Sequence, residues 1–278
     1  TRGQPPYRAV ISHGWVVDGE GKKMSKSLGN VILPEEVIKN YGADILRLWV
    51  ASADFTSDIH ISTDILKQLS EIYRKIRNTC RFLLGNCYDF DPVRGSVEYH
   101  LLTELDRWAL FRLNRLIDKV TGYYEHYEYH QVFHALHNFC VTDMSSIYLD
   151  IIKDRLYCSA AGDLGRRSAQ TVLAIVLKNL TLLMAPILTF TAEEIWKYLP
   201  ERPYPTVQVA DWPVPTPQWA DTELGKRWEV LLKVREEVIR VLERYRQEKL
   251  IGGSLEASVD LWVGESLYRP LADYEEQL

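Results

Sequence analysis

The chain has 278 residues, a net charge of −5, 46% hydrophobic residues and 26% charged residues. That makeup fits an ordinary globular protein of about two domains and excludes collagen-like, disordered or uniformly polycationic chains. Any contact with nucleic acid must therefore use local basic faces. The most apolar stretch, Thr171 to Phe190, is broken by Lys178, Asn179 and Pro186, so it reads as a buried helix and not a membrane span. Cys80, Cys87, Cys140 and Cys158 are scattered without a Cys-x-x-Cys pair. Neither a disulfide framework nor a zinc knuckle is suggested, and a reducing cytoplasm is the expected home. The opening Thr1-Arg2-Gly3-Gln4-Pro5-Pro6, with no initiating methionine and no signal peptide, is expected of a piece of a longer protein.

In chain order, Tyr7 to Val17 carries Val10, Ile11, Val16 and Val17 around Gly14. It reads as a strand, with Gly14 marking a close backbone approach by a ligand. The strand runs into Lys23-Met24-Ser25-Lys26-Ser27, preceded by Gly19 and Gly21 and followed by Gly29. Two lysines three apart, hydroxyl residues and glycine-freed backbone N–H groups suit the grip of a polyphosphate whose charge shifts during reaction. The plainer reading of a bare Lys-x-x-Lys is a solvated basic loop. Pro34-Glu35-Glu36 makes a good first helical turn, ended by Gly42. Ala43 to Ala51 begins another helix with Ile45, Leu46, Leu48 and Trp49 as core candidates.

From about Ser62 the periodicity is helical, over 64–85, 104–126, 129–149 and 165–184. On the first of these, Leu69, Ile72, Ile76, Cys80 and Leu83 fall opposite Lys67, Arg74, Arg77, Asn78 and Arg81. The apolar arc should pack, and the basic arc could follow a phosphate backbone. A solvated charged face is the alternative. Asp150 to Arg155 and Arg166-Arg167 are weaker basic candidates. His126, His130, His134 and His137 would share a face of an unbroken helix. However, Tyr123 to Glu128 looks like a helix junction and nothing completes a ligand set, so no bound metal is expected and an ordinary polar stripe is the reading. Thr191-Ala192-Glu193-Glu194 fits a capping box opening a helix to Leu199. Loops are expected at Tyr88–Val97 and at Pro200–Thr222, the second holding six prolines. Leu224 to Leu250 reads as a last long helix stopped at Gly252-Gly253, and Ala257 to Val263 alternates like a strand.

The lysine loop, extended by Leu28-Gly29-Asn30-Val31-Ile32, resembles the second signature of class I aminoacyl-tRNA synthetases. Further runs resemble the bacterial-type isoleucyl-tRNA synthetase family. They are Tyr41 to Ser52, Ile76 to Leu84, Tyr148 to Tyr157, Ala185 to Trp196 and Gly252 to Ala257. The resemblance implies a mainly α fold: the end of a class I nucleotide-binding α/β domain, then a helical-bundle anticodon-binding domain. It implies residues 1–61 as the end of the catalytic domain with stem helices, 62–223 as the bundle, and 224–278 as a long helix opening a carboxyl-terminal appendage.

It further implies activation of isoleucine by ATP with Mg2+, then transfer to tRNA(Ile), with no membrane involvement. Lys26 is then the main electrostatic stabiliser and Lys23 the second. Ser25 and Ser27 donate hydrogen bonds or fix the loop, and Met24 anchors it by packing. The helix face with Lys67, Arg74, Arg77, Asn78 and Arg81 becomes the expected tRNA contact. The family's first signature, most of its nucleotide-binding fold and its zinc region are absent from these residues, so the piece alone is expected to be inactive. The alternatives are a valyl- or leucyl-tRNA synthetase fragment, or a non-catalytic RNA-binding helical module.

Overall fold

The computed structural model describes residues 3, 5–253, 256–272 and 274. Contacts divide the chain into two compact units, Thr1–Trp219 and Ala220–Leu278. In the first, β1 (Val16–Val17) pairs in parallel with β2 (Ile59–His60), Val16 opposite Ile59. The expected strand from Tyr7 is thus only two residues long. Gly14 does mark a close approach, but by the chain itself: a Cβ there would lie 2.1 Å from the Ser57 carbonyl oxygen. The ligand expected at Gly14 is therefore replaced by the turn before β2.

Between the two strands stand α1 (Pro34–Tyr41) and α2 (Ala43–Ser52), separated by Gly42 at φ 93°. That positive φ is where glycine costs least. The bundle comprises α3 (Thr63–Asn86), the short α4 (Pro92–Gly95), α5 (Glu104–Glu125), α6 (Tyr129–Asn138), a π segment (Phe139–Tyr148), α7 (Leu149–Ile151), α8 (Lys153–Cys158), α9 (Leu164–Met184) and α10 (Thr189–Tyr198). Helix starts follow local chemistry. Ser62, Thr103 and Asp163 each accept an N–H three residues on, at α3, α5 and α9. Trp108, Leu113, Ile117, Met144, Tyr148, Leu173 and Leu183 form the buried centre, where α5 packs on α6 and α9, and α9 on α3. Burial of such side chains, about 1.5–3 kcal/mol each, is the main drive for the bundle.

Two helical expectations need correcting. The helix expected over 129–149 widens to π geometry from Phe139. There the Ser145 and Ser146 hydroxyls donate to the carbonyls five residues back, at Cys140 and Val141, and Thr79 of α3 adds a bond to the Cys140 carbonyl. Hydroxyls competing for carbonyls loosen a helix, a term that apolar periodicity does not carry. Thr191 also opens no capping box. It lies inside α10, its hydroxyl goes to Asp44 of α2, and Glu193 accepts from Thr206 and Val207.

The proline-rich loop after Leu199 is pinned. Trp212 donates its indole N–H to Thr121, and Asn114 exchanges two bonds with the Thr216 backbone. In the second unit, α11 (Thr222–Gln247) is capped by Asp221 and ends before Lys249, which takes φ 59°. The helix therefore stops short of Gly252-Gly253. Trp228 meets Tyr274 edge to face near α12 (Glu265–Ala272). Ala257 to Val263 forms no strand, and Ser254 and Leu255 of the resembling run lie outside the described residues.

Candidate functional site: the lysine loop and the basic outer helix

The lysine loop leaves β1 at Asp18, and its two ends are knitted together by two side chains. Asp18 Oδ1 accepts the backbone N–H groups of Glu20 and Lys22, at 3.0 and 2.8 Å. Asn30 donates from Nδ2 to Asp18 Oδ2 at 2.8 Å, and its Oδ1 accepts the Ser25 N–H at 2.9 Å. These bonds, Asn30's first, hold the Asp18 carboxyl below the usual carboxylate range. Within the loop the Ser25 and Ser27 hydroxyls lie 3.1 Å apart, and Ser25 Oγ accepts the Leu28 N–H. The serines thus shape the turn. Met24 is half-buried, whereas Lys26 and Ser27 face solvent.

The two lysines are not equivalent. The Lys23 ammonium rests over the Trp15 ring, 5.4 Å from its centre. Lys26 has no ion pair among the described residues. A cation without a protein partner on a glycine-flanked loop is available for an anion, while a cation–π contact at an exposed site is worth only about 0.5–1 kcal/mol and is easily left. The sequence does not single out Asp18 and Asn30 as a pair. The Asp-Gly-x-Gly run signals an Asx-type turn, but nothing local ties it to an asparagine twelve residues on. Asp18 is committed to N–H donors, and the other carboxylate of the loop, Glu20, is exposed and pairs with Lys22 at 2.7 Å.

On α3 the expected division holds. Leu66, Leu69, Ile76, Thr79, Cys80 and Leu83 are buried, and Lys67, Arg74, Arg77, Asn78 and Arg81 are exposed. Lys67 and Arg74 are paired along the helix, with Asp64 at 3.4 Å and Glu71 at 2.9 Å. Arg77 and Arg81 have no ion pair among the described residues. They line a cavity of about 140 Å³ between α3 and α10, together with Thr191, Glu194 and Tyr198. Tyr198 and Phe190 stand out of α10 into solvent. Arginine forks beside exposed aromatic rings are the chemistry that grips single-stranded nucleic acid.

The weaker basic candidates are corrected. Arg166 is buried and grips Asp89 with both terminal nitrogens, at 2.7 and 3.0 Å, while Arg167 bonds the Asp89 carbonyl. Arg155 forks onto Asp106, a fully buried carboxylate that also accepts from Tyr148, Thr103 and Ser168. Lys153 pairs with Asp150. Arg155 and Arg166 thus hold the bundle together and are not free for phosphate, whereas the Lys153 pair is exposed on both sides.

In the histidine row, α5 ends at Glu125 and Tyr127 turns with φ 60°, which separates His126 from the others. His137 stacks on Phe133, and burial lowers its pKa. Among the described residues no group of three His, Cys, Asp or Glu side chains could hold a metal ion, and no helix is long and apolar enough to cross a membrane.

A lysine loop on two short helices thus precedes a helical bundle whose outer helix is basic. Residues 1–62 match the tRNA synthetases of class I (I, L, M and V). The chain belongs to the family of anticodon-binding domains of tRNA ligases, which matches residues 106–261. Its particular kinship lies with isoleucine–tRNA ligases. That of Desulforudis audaxviator is 56% identical over 99% of this chain, and that of Caldanaerobacter subterraneus is 52% identical over 99%. The chain spans 30% of the length of each.

Two solved structures share the fold. One is Agrobacterium radiobacter K84 agnB2 LeuRS, in a ternary complex with tRNA and LeuAMS. It matches with TM-score 0.59 and 22% identity over 75% of this chain and 24% of its own. The other is Mycobacterium tuberculosis methionyl-tRNA synthetase in complex with methionyl-adenylate, with TM-score 0.56 and 21% identity over 66% and 36%.

Proposed function

We propose that this chain is the part of a cytoplasmic isoleucyl-tRNA synthetase that supplies the ATP-binding lysine loop and the tRNA grip. Residues 1–61 end the catalytic domain, 62–223 form the anticodon-binding bundle and 224–278 open an appendage. The observation that carries this reading is the pairing of an exposed Lys26, without an ion pair among the described residues, on a knitted loop with 52–56% identity to isoleucine–tRNA ligases along nearly the whole chain.

In the full-length ligase the isoleucine carboxylate attacks the α-phosphorus of ATP, and the bond to the β-phosphate oxygen breaks. Charge then gathers on the departing pyrophosphate. Lys26 meets that charge, and Lys23 joins it by leaving the Trp15 ring. Ser25 and Ser27 keep the turn that spaces the two ammonium groups, and Met24 anchors it. Magnesium enters with ATP as part of the substrate. The acyl group then passes to the 3′ end of tRNA(Ile). Arg77 and Arg81 contact the tRNA backbone beside Asn78, with Lys67 and Arg74 contributing once drawn from their neighbouring carboxylates.

The test is isoleucine-dependent ATP–pyrophosphate exchange by the full-length protein, compared with valine and leucine. Isoleucine should win, and the isolated 278 residues should give no turnover while retaining weak tRNA binding. Preference for valine or leucine would reassign the substrate. Turnover by the isolated piece would show that the loop does not need the rest of the nucleotide-binding domain.

A further inference from the structure

Two polar side chains of α2, Asp44 and Arg47, reach out of the helix to the corner between α9 and α10. Asp44 is only 7% exposed, and its carboxylate is turned to the far end of the sequence. It accepts the backbone N–H groups of Phe190 and Thr191, at 3.2 and 2.7 Å, and the Thr191 hydroxyl. The α10 helix has no cap of its own, since the residue before it is Leu188. Asp44 therefore caps α10 from 146 residues away, placing its charge at the positive end of that helix. One turn along α2, Arg47 donates to the Pro186 and Ile187 carbonyls, at 2.6 and 2.9 Å. Those carbonyls belong to the corner between α9 and α10. One face of α2 thus grips both polarities of one corner.

The grip continues onto α3. The single Thr191 hydroxyl proton goes to Asp44, so the 2.8 Å contact between Thr191 Oγ1 and Tyr73 has the tyrosine as donor. Tyr73 precedes Arg74 and lies one turn before Arg77. A buried node Asp44–Thr191–Tyr73 therefore ties three helices: the stem helix that follows the lysine loop, the helix bearing Phe190 and Tyr198, and the basic helix itself. Apolar packing holds helices together but tolerates sliding. A buried carboxylate tolerates little, because every displaced donor leaves an unpaired charge or N–H.

We infer that Asp44 and Tyr73 are positioning residues for tRNA charging: their node fixes the direction in which Arg77 and Arg81 present a bound tRNA to the lysine-loop end of the protein. This rests on the proposed function above and adds to it a means by which the tRNA grip is held in register with the chemistry. The node touches neither ATP nor tRNA in that reading, so its loss should separate two activities that a simple folding defect would lower together.

The test uses the full-length protein with Tyr73→Phe, Asp44→Asn and Asp44→Ala, and three readouts: isoleucine-dependent ATP–pyrophosphate exchange, aminoacylation of tRNA, and thermal unfolding. Tyr73→Phe removes only a hydroxyl, so it decides the matter even should Asp44→Ala fail to fold. Exchange should stay within about twofold of the unsubstituted protein while kcat/KM for tRNA falls by about tenfold, the size of a typical coupling between sites. Equal losses in both activities alongside a lower Tm would reduce the node to structural support and overturn the inference, as would no loss in either. An unsubstituted protein without isoleucine-dependent exchange would remove the functional reading, and this inference with it.

Discussion

Two regions of this chain use cations in opposite ways. At the lysine loop and on the outer face of α3, Lys26, Arg77 and Arg81 stand without ion pairs among the described residues. Inside the bundle, Arg112, Arg155 and Arg166 are spent on Asp143, Asp106 and Asp89. An exposed cation contributes almost nothing to stability and is available to an anionic ligand. A buried, forked arginine is committed, since withdrawing it strands a carboxylate. The contrast sorts structural charges from functional ones more sharply than their number or spacing does.

The strongest test of the committed side is Asp106→Ala. It leaves Arg155, Tyr148, Ser168 and Thr103 without their common acceptor, a fully buried carboxylate. A loss of about 3–5 kcal/mol in urea unfolding is expected. A loss below 1 kcal/mol, roughly the range of a surface pair, would erase the distinction drawn above.

On the free side the largest effect is Lys26→Ala in the full-length protein. Removal of one preplaced charge from a reacting centre costs about 100-fold in rate. Exchange turnover should fall by that order, with little change in KM for isoleucine and a stability change within about 0.5 kcal/mol. Equal effects on turnover and isoleucine binding would argue against action in the transition state.

Much of this contrast was legible in the sequence. The two arcs of α3 follow from 100° periodicity, and the loop from its lysines, serines and glycines. What could not be read is which cations are spent. Arg166-Arg167 and Arg77 look alike in sequence, yet the first two are held on Asp89, Arg166 buried and Arg167 half-buried, and Arg77 is solvated. The same holds for Asp44, whose partners lie at Phe190 and Thr191. Long-range polar pairing leaves no periodic trace. The π segment escaped for a related reason, because hydroxyl-to-carbonyl competition is invisible to an apolar pattern.

Arg77→Ala and Arg81→Ala come next in size. Each should weaken tRNA binding by the full-length protein and lower the slope of log affinity against log salt by about 1, with thermal stability nearly unchanged. Unchanged salt dependence in the double variant would move the RNA contact elsewhere on the bundle. Arg166→Ala is the matched control, and it should lose stability first.

A smaller effect concerns acid. The Arg166 guanidinium, helped by Gln170, holds the Asp89 carboxyl below its ordinary value of 3.8. A carboxyl whose pKa is depressed by folding stabilises the native state above the unfolded value and loses that contribution as pH falls through the folded one. Stability from this pair should therefore be constant across neutral pH and decline only below about 4. In Asp89→Asn that particular decline should be missing from the pH profile of Tm. An unchanged acid limb would assign it to other carboxylates.

The smallest expected effect checks that the committed side stays closed. Burial pushes the Cys80 and Cys87 thiols up to about 12 and Cys140 well above its ordinary value, so none of the three offers thiolate at neutral pH. Cys158, at the end of α8, is exposed. Native alkylation at mildly alkaline pH should place one adduct, on Cys158, without loss of tRNA binding, and unfolding in urea should open all four cysteines. Cys140 lies in the π segment, where Thr79 and Ser145 hold its carbonyl. Early labelling of Cys140 would mean that this segment opens on its own, and that the charges spent around it hold less firmly than their geometry indicates.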